Sequence, residues 1–229
     1  MLNKHEVKAR IESLGVIPSV RTASADDARF AATAISKAGI PLVEIAMNVA
    51  GALDVIAELV RSMPDLVVGA DVLDLEGARR AVGAGASFLT SPGFDRRIVE
   101  FAVKQQILVM PGVLTPTEVT MAWEAGSDFV KVFPCAPLGG ERYIKALKAP
   151  FAHVPLVAAG GVHQQTVADF IRAGVTAVGV GTALIPQKAI RRRQADWIVE
   201  LARRFLVLVR DARQVVATAH NDGGDQEAV

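Results

Sequence analysis

Residues 107–133 read ILVMPGVLTPTEVTMAWEAGSDFVKVF and hold one complete strand–helix–strand unit. Two short apolar segments, residues 107–111 and 128–133, flank a segment with helical periodicity over residues 117–125. Short apolar runs that alternate with helices are typical of βαβ units in a parallel sheet. This stretch therefore predicts an α/β protein.

The same pattern recurs along the chain. Strand candidates begin at intervals of 20–27 residues, and each gap holds a segment with helical periodicity, such as residues 26–37. The candidates are residues 16–21, 41–46, 66–70, 87–91, 107–111, 128–133, 155–159 and 176–180. Eight such units favour a single closed (β/α)₈ TIM barrel, with an open doubly wound sheet as the alternative.

Ala-Gly pairs precede four of the strand candidates, with their glycines at Gly39, Gly85, Gly126 and Gly174. A glycine after a helix adopts the left-handed C-cap conformation without a Cβ penalty. The pairs follow the first, third, fifth and seventh helices between the strands, which indicates a repeated two-unit module.

The ends of the chain complete the predicted domain organisation. Residues 3–14 are expected to form an N-terminal helix at the bottom of the barrel, and residues 194–217 a final helix. The barrel domain is thus assigned to residues 1–217. Residues 218–229 are small and polar, which predicts a disordered tail.

Composition limits the possible partners. The 229 residues carry a net charge of +1, so we expect neither nucleic acid nor a membrane surface as a partner. Cys135 is the only cysteine, and the N-terminus lacks the apolar core of a signal peptide. We therefore expect a cytoplasmic protein without disulfides. The four histidines lack metal-ligand spacing, so no metal or other cofactor is expected.

Lys131 is the sharpest catalytic candidate. It is the one lysine of eight inside an apolar strand candidate, at the end of the barrel where active sites lie. Burying an ammonium group is costly, and a neutral lysine amine attacks carbonyl carbon. The alternative is a structural lysine that reaches solvent or pairs with a carboxylate.

Two further ionisable residues occupy strand candidates. Glu44 has apolar neighbours on both sides and could move protons, or serve only as an ion-pair partner of Lys131 or Arg21. Arg21 ends the first strand and could bind a substrate carboxylate, with a surface loop position as the alternative.

Glycine-rich segments follow the last two strands. They are AGGV at residues 159–162 and GVGT at residues 179–182. Loops at these places form the usual phosphate site of such barrels, using backbone N–H groups and helix N-termini. The candidate phosphate ligands are Gly160, Gly161, Gly179, Gly181 and the hydroxyl of Thr182. Tight strand-to-helix turns are the alternative explanation.

These segments and several others resemble the aldolases that cleave 2-keto-3-deoxy-6-phosphogluconate (KDPG) and 4-hydroxy-2-oxoglutarate (KHG). The resemblance covers about residues 16–184. Its motifs are VEI at 43–45, VGA at 68–70, SPG at 91–93, MPGV at 110–113, TPTE at 115–118, VKVFP at 130–134, YIKALK at 143–148, GGV at 160–162 and AVGVG at 177–181.

The resemblance implies a class I, metal-free aldolase. Lys131 would form a Schiff base with a 2-oxo acid, and Glu44 would relay protons while C3–C4 cleavage gives pyruvate and an aldehyde. Arg21 would lie near the substrate carboxylate and the glycine loops near a phosphate. The motif residues Pro92, Thr115 and Phe133 are expected at the substrate, and family members are commonly homotrimers.

The chain departs from the family pattern at three places. Thr-x-Arg after the glutamate is replaced by Ala46 and Asn48, Gly-Thr by Asp71, and the threonine before the paired glycines by Ala159. Asp71 and Ala159 are expected in the pyruvate-binding region, where Asp71 could repel a substrate carboxylate or pair with Arg21. These departures predict a preference for a larger or differently substituted 2-oxo acid.

Two other functions are compatible with the sequence. One keeps the Schiff base but decarboxylates or dehydrates a 2-oxo acid. The other is a barrel that binds a phosphorylated ligand without catalysis. Trapping of an imine would distinguish the enzymes from the non-catalytic barrel. Release of an aldehyde would then distinguish an aldolase from the decarboxylase or dehydratase.

Overall fold

The computed structural model describes residues 2–223, with side chains described as far as Thr218. Strands and helices alternate along most of the chain. The strands are β1 (Val16–Val20), β2 (Leu42–Ala46), β3 (Val67–Asp71), β4 (Phe88–Thr90), β5 (Leu108–Met110), β6 (Gly112–Val113), β7 (Val130–Val132), β8 (Leu156–Ala159) and β9 (Ala177–Val180). The α-helices are α1 (Lys4–Leu14), α2 (Ala25–Lys37), α3 (Ala52–Ser62), α4 (Leu75–Gly83), α5 (Arg96–Lys104), α6 (Pro116–Glu124), α7 (Glu141–Lys148), α8 (Val167–Arg172), α9 (Gln187–Arg191) and α10 (Ala195–Gly223), and Ala136–Leu138 forms a 3₁₀ turn.

The strands form one parallel sheet in the order β5-β4-β3-β2-β1-β9-β8-β7-β6. The two ends of this order, β5 and β6, are consecutive in the chain and separated only by Pro111. The fifth predicted strand is therefore one extended segment that pairs with β4 through its first half and with β7 through its second half. This change of partner closes the ring, so the predicted (β/α)₈ barrel is confirmed and the open sheet is excluded.

The fifth strand extends beyond its predicted end at residue 111. Pro111 has no amide hydrogen, yet its carbonyl accepts from the Lys131 N–H at 2.9 Å, so pairing continues into β6. A Cβ on Gly112 would lie 2.2 Å from the Pro92 carbonyl oxygen. Glycine at this position thus lets the loop after β4 pack directly against β6.

Helix α1 lies against the N-terminal side of the barrel, as predicted. Asn3 and Glu6 form a reciprocal capping box at its start, and Val7 and Ile11 are buried. The helix contacts β1, β5 and β9. Burying its apolar side chains closes the bottom of the barrel and leaves the opposite end open.

The four predicted C-cap glycines adopt the left-handed conformation. Their φ angles lie between 94° and 102°, and they follow α2, α4, α6 and α8. These values confirm the conformation expected from the repeated Ala-Gly pairs.

The predicted end of the last helix is wrong. Helix α10 continues six residues beyond residue 217, to Gly223. The helical backbone ladder satisfies the amides of this segment, and the Thr218 hydroxyl donates back to the Gln214 and Val215 carbonyls. The remaining part of the predicted tail, residues 224–229, lies outside the described residues.

The core fills both the interior of the barrel and the layer between strands and helices. Phe88, Phe129, Phe170 and Phe205 are fully buried. Within residues 2–223, no helix combines the length and apolar character that crossing a membrane requires.

Candidate active site

A cavity of about 350 Å³ opens at the C-terminal end of the barrel strands. It brings together all the predicted site residues except Thr115. The predicted residues that line it are Arg21, Glu44, Asp71, Pro92, Lys131, Phe133, Ala159, Gly160, Gly161, Gly179, Gly181 and Thr182. Ile17, Ser19, Met110, Val157, Val162, His163, Ala183 and Ile185 complete the lining.

Thr115 does not line the cavity. It is the N-cap of α6, where its hydroxyl accepts a hydrogen bond from the Glu118 N–H and the Glu118 carboxylate accepts from the Thr115 N–H. The TPTE motif is thus a capping box rather than a set of substrate ligands. Hydrogen bonds from the Leu114 and Thr115 amides lower the pKa of Glu118, in keeping with this structural role.

Lys131 lies on β7 with its side chain directed into the cavity, where it is 8% exposed. Its Nζ lies 3.2 Å from Oδ1 of Asp71 and 5.7 Å from the centre of the Phe133 ring. A buried ammonium is tolerated here because a carboxylate is close enough to balance it. The lysine therefore combines burial, a counter-charge and access to the cavity.

Asp71, at the end of β3, pairs with two cations. Its Oδ2 accepts from Arg21 at 2.9 Å while Oδ1 faces Lys131. The carboxylate partner considered for Lys131 is thus Asp71, not Glu44. The repulsion of a substrate carboxylate by Asp71 is offset, since Arg21 and Lys131 both neutralise it. Arg21 keeps 55% of its side chain exposed, so it can also meet an anion in the cavity.

Glu44 is 5% exposed and is held by two hydroxyl groups. Ser19 Oγ donates to Oε1 and Thr90 Oγ1 to Oε2, both at 2.7 Å. Thr90 Oγ1 also lies 3.1 Å from Asp71 Oδ1. Glu44, Thr90, Asp71 and Lys131 consequently form a continuous polar chain across the cavity floor.

Ser19 and Thr90 were missed by sequence reasoning because only ionisable residues were sought at strand ends. The sequence feature that could have pointed to them is a hydroxyl-bearing residue among apolar residues near the end of a strand. The parallel register places Ser19 beside Glu44 and Thr90 beside Asp71. In-register residues of neighbouring parallel strands point to the same face of the sheet, so each hydroxyl lies on the same side as its carboxylate partner.

The glycine loop after β8 packs closely against the segment that follows β7. Gly160 and Gly161 have φ angles of 83° and 92°, and a Cβ on Gly161 would lie 2.3 Å from the Ala136 Cβ. Across the described chain, the backbone N–H groups of Gly161, Val162, Thr182 and Ala183 donate to no protein acceptor. Four free donors at the rim of the cavity suit an anion.

Cys135 and His163 lie at the edges of this site. Cys135 is fully buried, its thiol donates to the Gly160 carbonyl at 3.4 Å, and burial raises its pKa to about 12. It is outside the cavity lining, as expected for a thiol that is not a nucleophile. His163 reaches the cavity mouth, where it is exposed and contacts Gln165 at 2.8 Å.

A family model described as "Aldolase: KDPG and KHG aldolase" matches residues 7–201. The chain belongs to this family. It is 32% identical to the 2-dehydro-3-deoxy-phosphogluconate aldolase of Treponema pallidum over 87% of the chain and 95% of that protein. It is 31% identical to the enzyme of the same name from Pseudomonas aeruginosa over 86% of the chain and 91% of that protein. The predicted family membership is confirmed.

Solved structures of aldolases share the fold of this family member. A native KDPGal structure has a TM-score of 0.81 at 30% identity, covering 88% of the chain and 97% of that protein. The KDPG aldolase of Legionella pneumophila, with pyruvate captured as a covalent carbinolamine intermediate, has a TM-score of 0.80 at 28% identity, covering 86% and 96%. An aldolase with a covalent carbinolamine of pyruvate is thus among the structures that this chain resembles.

Proposed function

We propose that this protein is a class I aldolase that cleaves a 2-oxo-3-deoxy sugar acid, or a 4-hydroxy-2-oxo acid, to pyruvate and an aldehyde through an imine on Lys131. The observation that carries the proposal is the buried Lys131 amine, paired with a carboxylate at the floor of an open cavity. Family membership and the covalent pyruvate intermediate of the Legionella pneumophila relative support it.

Imine formation begins with the neutral Lys131 amine. Its lone pair forms a bond to C2 of the 2-oxo acid while the carbonyl π electrons move to oxygen. Loss of that oxygen as water leaves an iminium ion. The iminium then accepts the electron pair of the breaking C3–C4 bond, giving the enamine of pyruvate and the free aldehyde.

Glu44 is proposed as the acid–base group of the cleavage step. The C4 hydroxyl must lose a proton as the aldehyde forms, and C3 of the enamine must gain one afterwards. A single carboxylate can accept the first proton and return it to C3. Glu44 is suited to this work because Ser19 and Thr90 hold both of its oxygens in the cavity wall.

A phosphate on the substrate would bind at the glycine loops. The free N–H groups of Gly161, Val162, Thr182 and Ala183 all belong to residues that line the cavity. Gly181 and the Thr182 hydroxyl lie in the same rim. Arg21, which directly follows β1, is proposed to receive the carboxylate of the 2-oxo acid.

The departures from the family pattern bear on which 2-oxo acids the site prefers. Ala159 lacks the hydroxyl of the usual threonine, and loss of a hydrogen bond to a charged group costs about 1.5–3 kcal/mol. Arg21 also donates a hydrogen bond to Asp71, so it has fewer N–H groups free to bind the substrate. We propose weaker activity on KDPG than is usual in the family, and better activity on a differently substituted 2-oxo acid.

The assembly and location are proposed on similar grounds. A homotrimer is expected from the family resemblance. A designed cage made by fusing symmetric oligomeric domains contains a related fold, with a TM-score of 0.83 at 28% identity over 92% of this chain and 77% of that one. A single buried thiol suits a reducing cytoplasm.

The test is product analysis with a panel of phosphorylated and non-phosphorylated 2-oxo acids. We expect pyruvate and an aldehyde in equal amounts, and neither product from Lys131→Ala. Release of carbon dioxide or water, without pyruvate and an aldehyde appearing together, would favour the decarboxylase or dehydratase. Binding without turnover of any member, and without imine formation, would favour the non-catalytic barrel.

A further inference from the structure

Lys131 and Glu44, the two residues assigned to the chemistry, form no ion pair with each other. Within the described part of the chain, the carboxylate that pairs with Lys131 is Asp71, at 3.2 Å. Both oxygens of Glu44 instead accept hydrogen bonds from hydroxyls, those of Ser19 and Thr90. A proton that leaves the Lys131 ammonium therefore reaches Asp71 first.

Thr90 lies between the two carboxyl groups. Its Oγ1 is 2.7 Å from Glu44 Oε2 and 3.1 Å from Asp71 Oδ1. A hydroxyl has one proton to donate, so two linear hydrogen bonds coexist here only if one carboxyl group is protonated. Two buried carboxyl groups this close also repel each other when both are charged. Thr90 therefore lies where its hydroxyl can accept a proton from one carboxyl group and donate one to the other.

We propose that Asp71 is the catalytic base that takes the proton from Lys131, and that Thr90 is a positioning residue that passes protons between Asp71 and Glu44. The inference rests on the proposed imine chemistry of Lys131. It divides the work of the site, because Asp71 serves imine formation while Glu44 serves carbon–carbon cleavage.

The proton balance of imine formation fits this division. A proton moves from Nζ to Oδ1 of Asp71, turning ammonium and carboxylate into amine and carboxylic acid. The amine then adds to C2, and the carbonyl oxygen becomes a hydroxyl and leaves as water. Of the three ammonium protons, two depart with that water and one stays on the iminium nitrogen, so the positive charge is conserved.

The surroundings leave Asp71 able to act in this way. Arg21 holds its Oδ2 at 2.9 Å, which leaves Oδ1 for Lys131 and Thr90. The charged groups around Lys131 are Asp71 from β3, Arg21 beyond β1 and, through Thr90, Glu44 from β2. Strands β8 and β9 present apolar residues and glycine to the cavity.

The test is the rate of imine formation in Asp71→Asn. The full chain is mixed with pyruvate, the imine is reduced with borohydride at successive times, and the mass of the Lys131 peptide is measured from about pH 6 to about pH 10. At neutral pH we expect a rate lower by about 10²–10⁴-fold, the usual worth of a positioned acid–base group. The rate should recover at alkaline pH, where hydroxide can take the proton in place of Asp71, while circular dichroism checks that the variant is folded.

A matched control is Asp169→Asn, which removes an exposed carboxylate paired with Arg172. It should react at the wild-type rate. A counter-ion role makes the opposite prediction for Asp71, because removing a counter-ion favours the neutral amine. Trapping in Asp71→Asn that is unchanged or faster at neutral pH, or equally slow at every pH in a folded protein, would overturn the proposal.

Thr90 variants give a second test that leaves both carboxyl groups in place. Thr90→Val removes the hydroxyl with little change in volume and should slow imine formation by at least about 10-fold, whereas Thr90→Ser should restore it. Equal rates in the two variants would reject the Thr90 relay. Absence of any trapped adduct in the wild-type protein would instead reject the proposed imine function.

Discussion

Glu44 gives a clear prediction because its two hydrogen-bond partners, Ser19 and Thr90, leave it without a direct hydrogen bond to Lys131. We expect Glu44→Gln to slow turnover by about 10²–10⁴-fold, while the amount of imine formed at equilibrium changes little. Glutamine keeps the size and one acceptor oxygen, so the cavity should stay intact. The measurement is steady-state turnover beside borohydride trapping with pyruvate.

Two outcomes would count against that role. Turnover at the wild-type rate would make Glu44 a structural acceptor for Ser19 and Thr90. A parallel loss of imine would mean that Glu44 acts before cleavage rather than during it. Thermal unfolding of the variant serves as the control, since a large fall in stability would explain a loss of both activities.

The thiol of Cys135 is expected to be unreactive in the folded protein. Burial raises the pKa of its thiol to about 12, and the thiolate is the reactive form. At about pH 8 the folded protein should therefore react with iodoacetamide about 10³-fold more slowly than the chain in denaturant. Rapid alkylation of the native protein with loss of activity would place the thiol in the site after all.

Some residues of the candidate site could be predicted from the sequence and others could not. Lys131, Glu44 and Arg21 were recognisable because charged side chains inside apolar strands are costly and demand a reason. The pairing of Lys131 with Asp71 was not, because it joins side chains of β7 and β3, two strands that do not pair with each other in the sheet. Ser19 and Thr90 gave little signal, since neutral hydroxyls are ordinary in strands.

The loop between β8 and α8 yields a prediction about the phosphate end of the site. Gly161 has a φ of 92°, and an added Cβ would meet the Ala136 Cβ at 2.3 Å. Gly161→Ala should displace the loop and its free N–H groups. We expect KM for a phosphorylated 2-oxo acid to rise by at least about 10-fold, the worth of one charged hydrogen bond, with a small change for a non-phosphorylated one.

Gly39→Ala is the matched control for that variant. Gly39 has a similar φ of 95°, and an added Cβ would meet no atom within 4 Å. The backbone strain is comparable, about 1–2 kcal/mol, but the position lies outside the cavity lining. It should lower stability and leave KM unchanged. Equal KM effects in the two variants, or equal effects on both substrates, would disprove a phosphate site at this loop.

Strands and helices were predictable where local patterns decide them. Regular spacing and the Ala-Gly caps gave the repeated units, because those signals are read within one unit. The extension of the fifth strand through Pro111 was not, since it depends on a change of partner between β4 and β7. Helix α10 extends beyond its predicted end at residue 217. Its end was predicted from apolar periodicity, which stops before the backbone hydrogen bonding of the helix does.

The assembled molecule is expected to be a homotrimer. Several large apolar side chains remain exposed on the isolated chain, among them Leu73 at 69% and Val215 at 54%. Burial of such surface stabilises subunit contacts. Light scattering at micromolar concentration should return three times the chain mass of 24.2 kDa. A mass equal to that of one chain would reject the trimer.

The most direct test of the whole account is reductive trapping with pyruvate. Borohydride should convert the imine to a stable adduct, at one per chain, and peptide mass analysis should place it on Lys131. Lys131→Ala should remain folded and take up none. An adduct on another lysine, or no adduct in a folded wild-type protein, would contradict the claim that this barrel works through a Schiff base on Lys131.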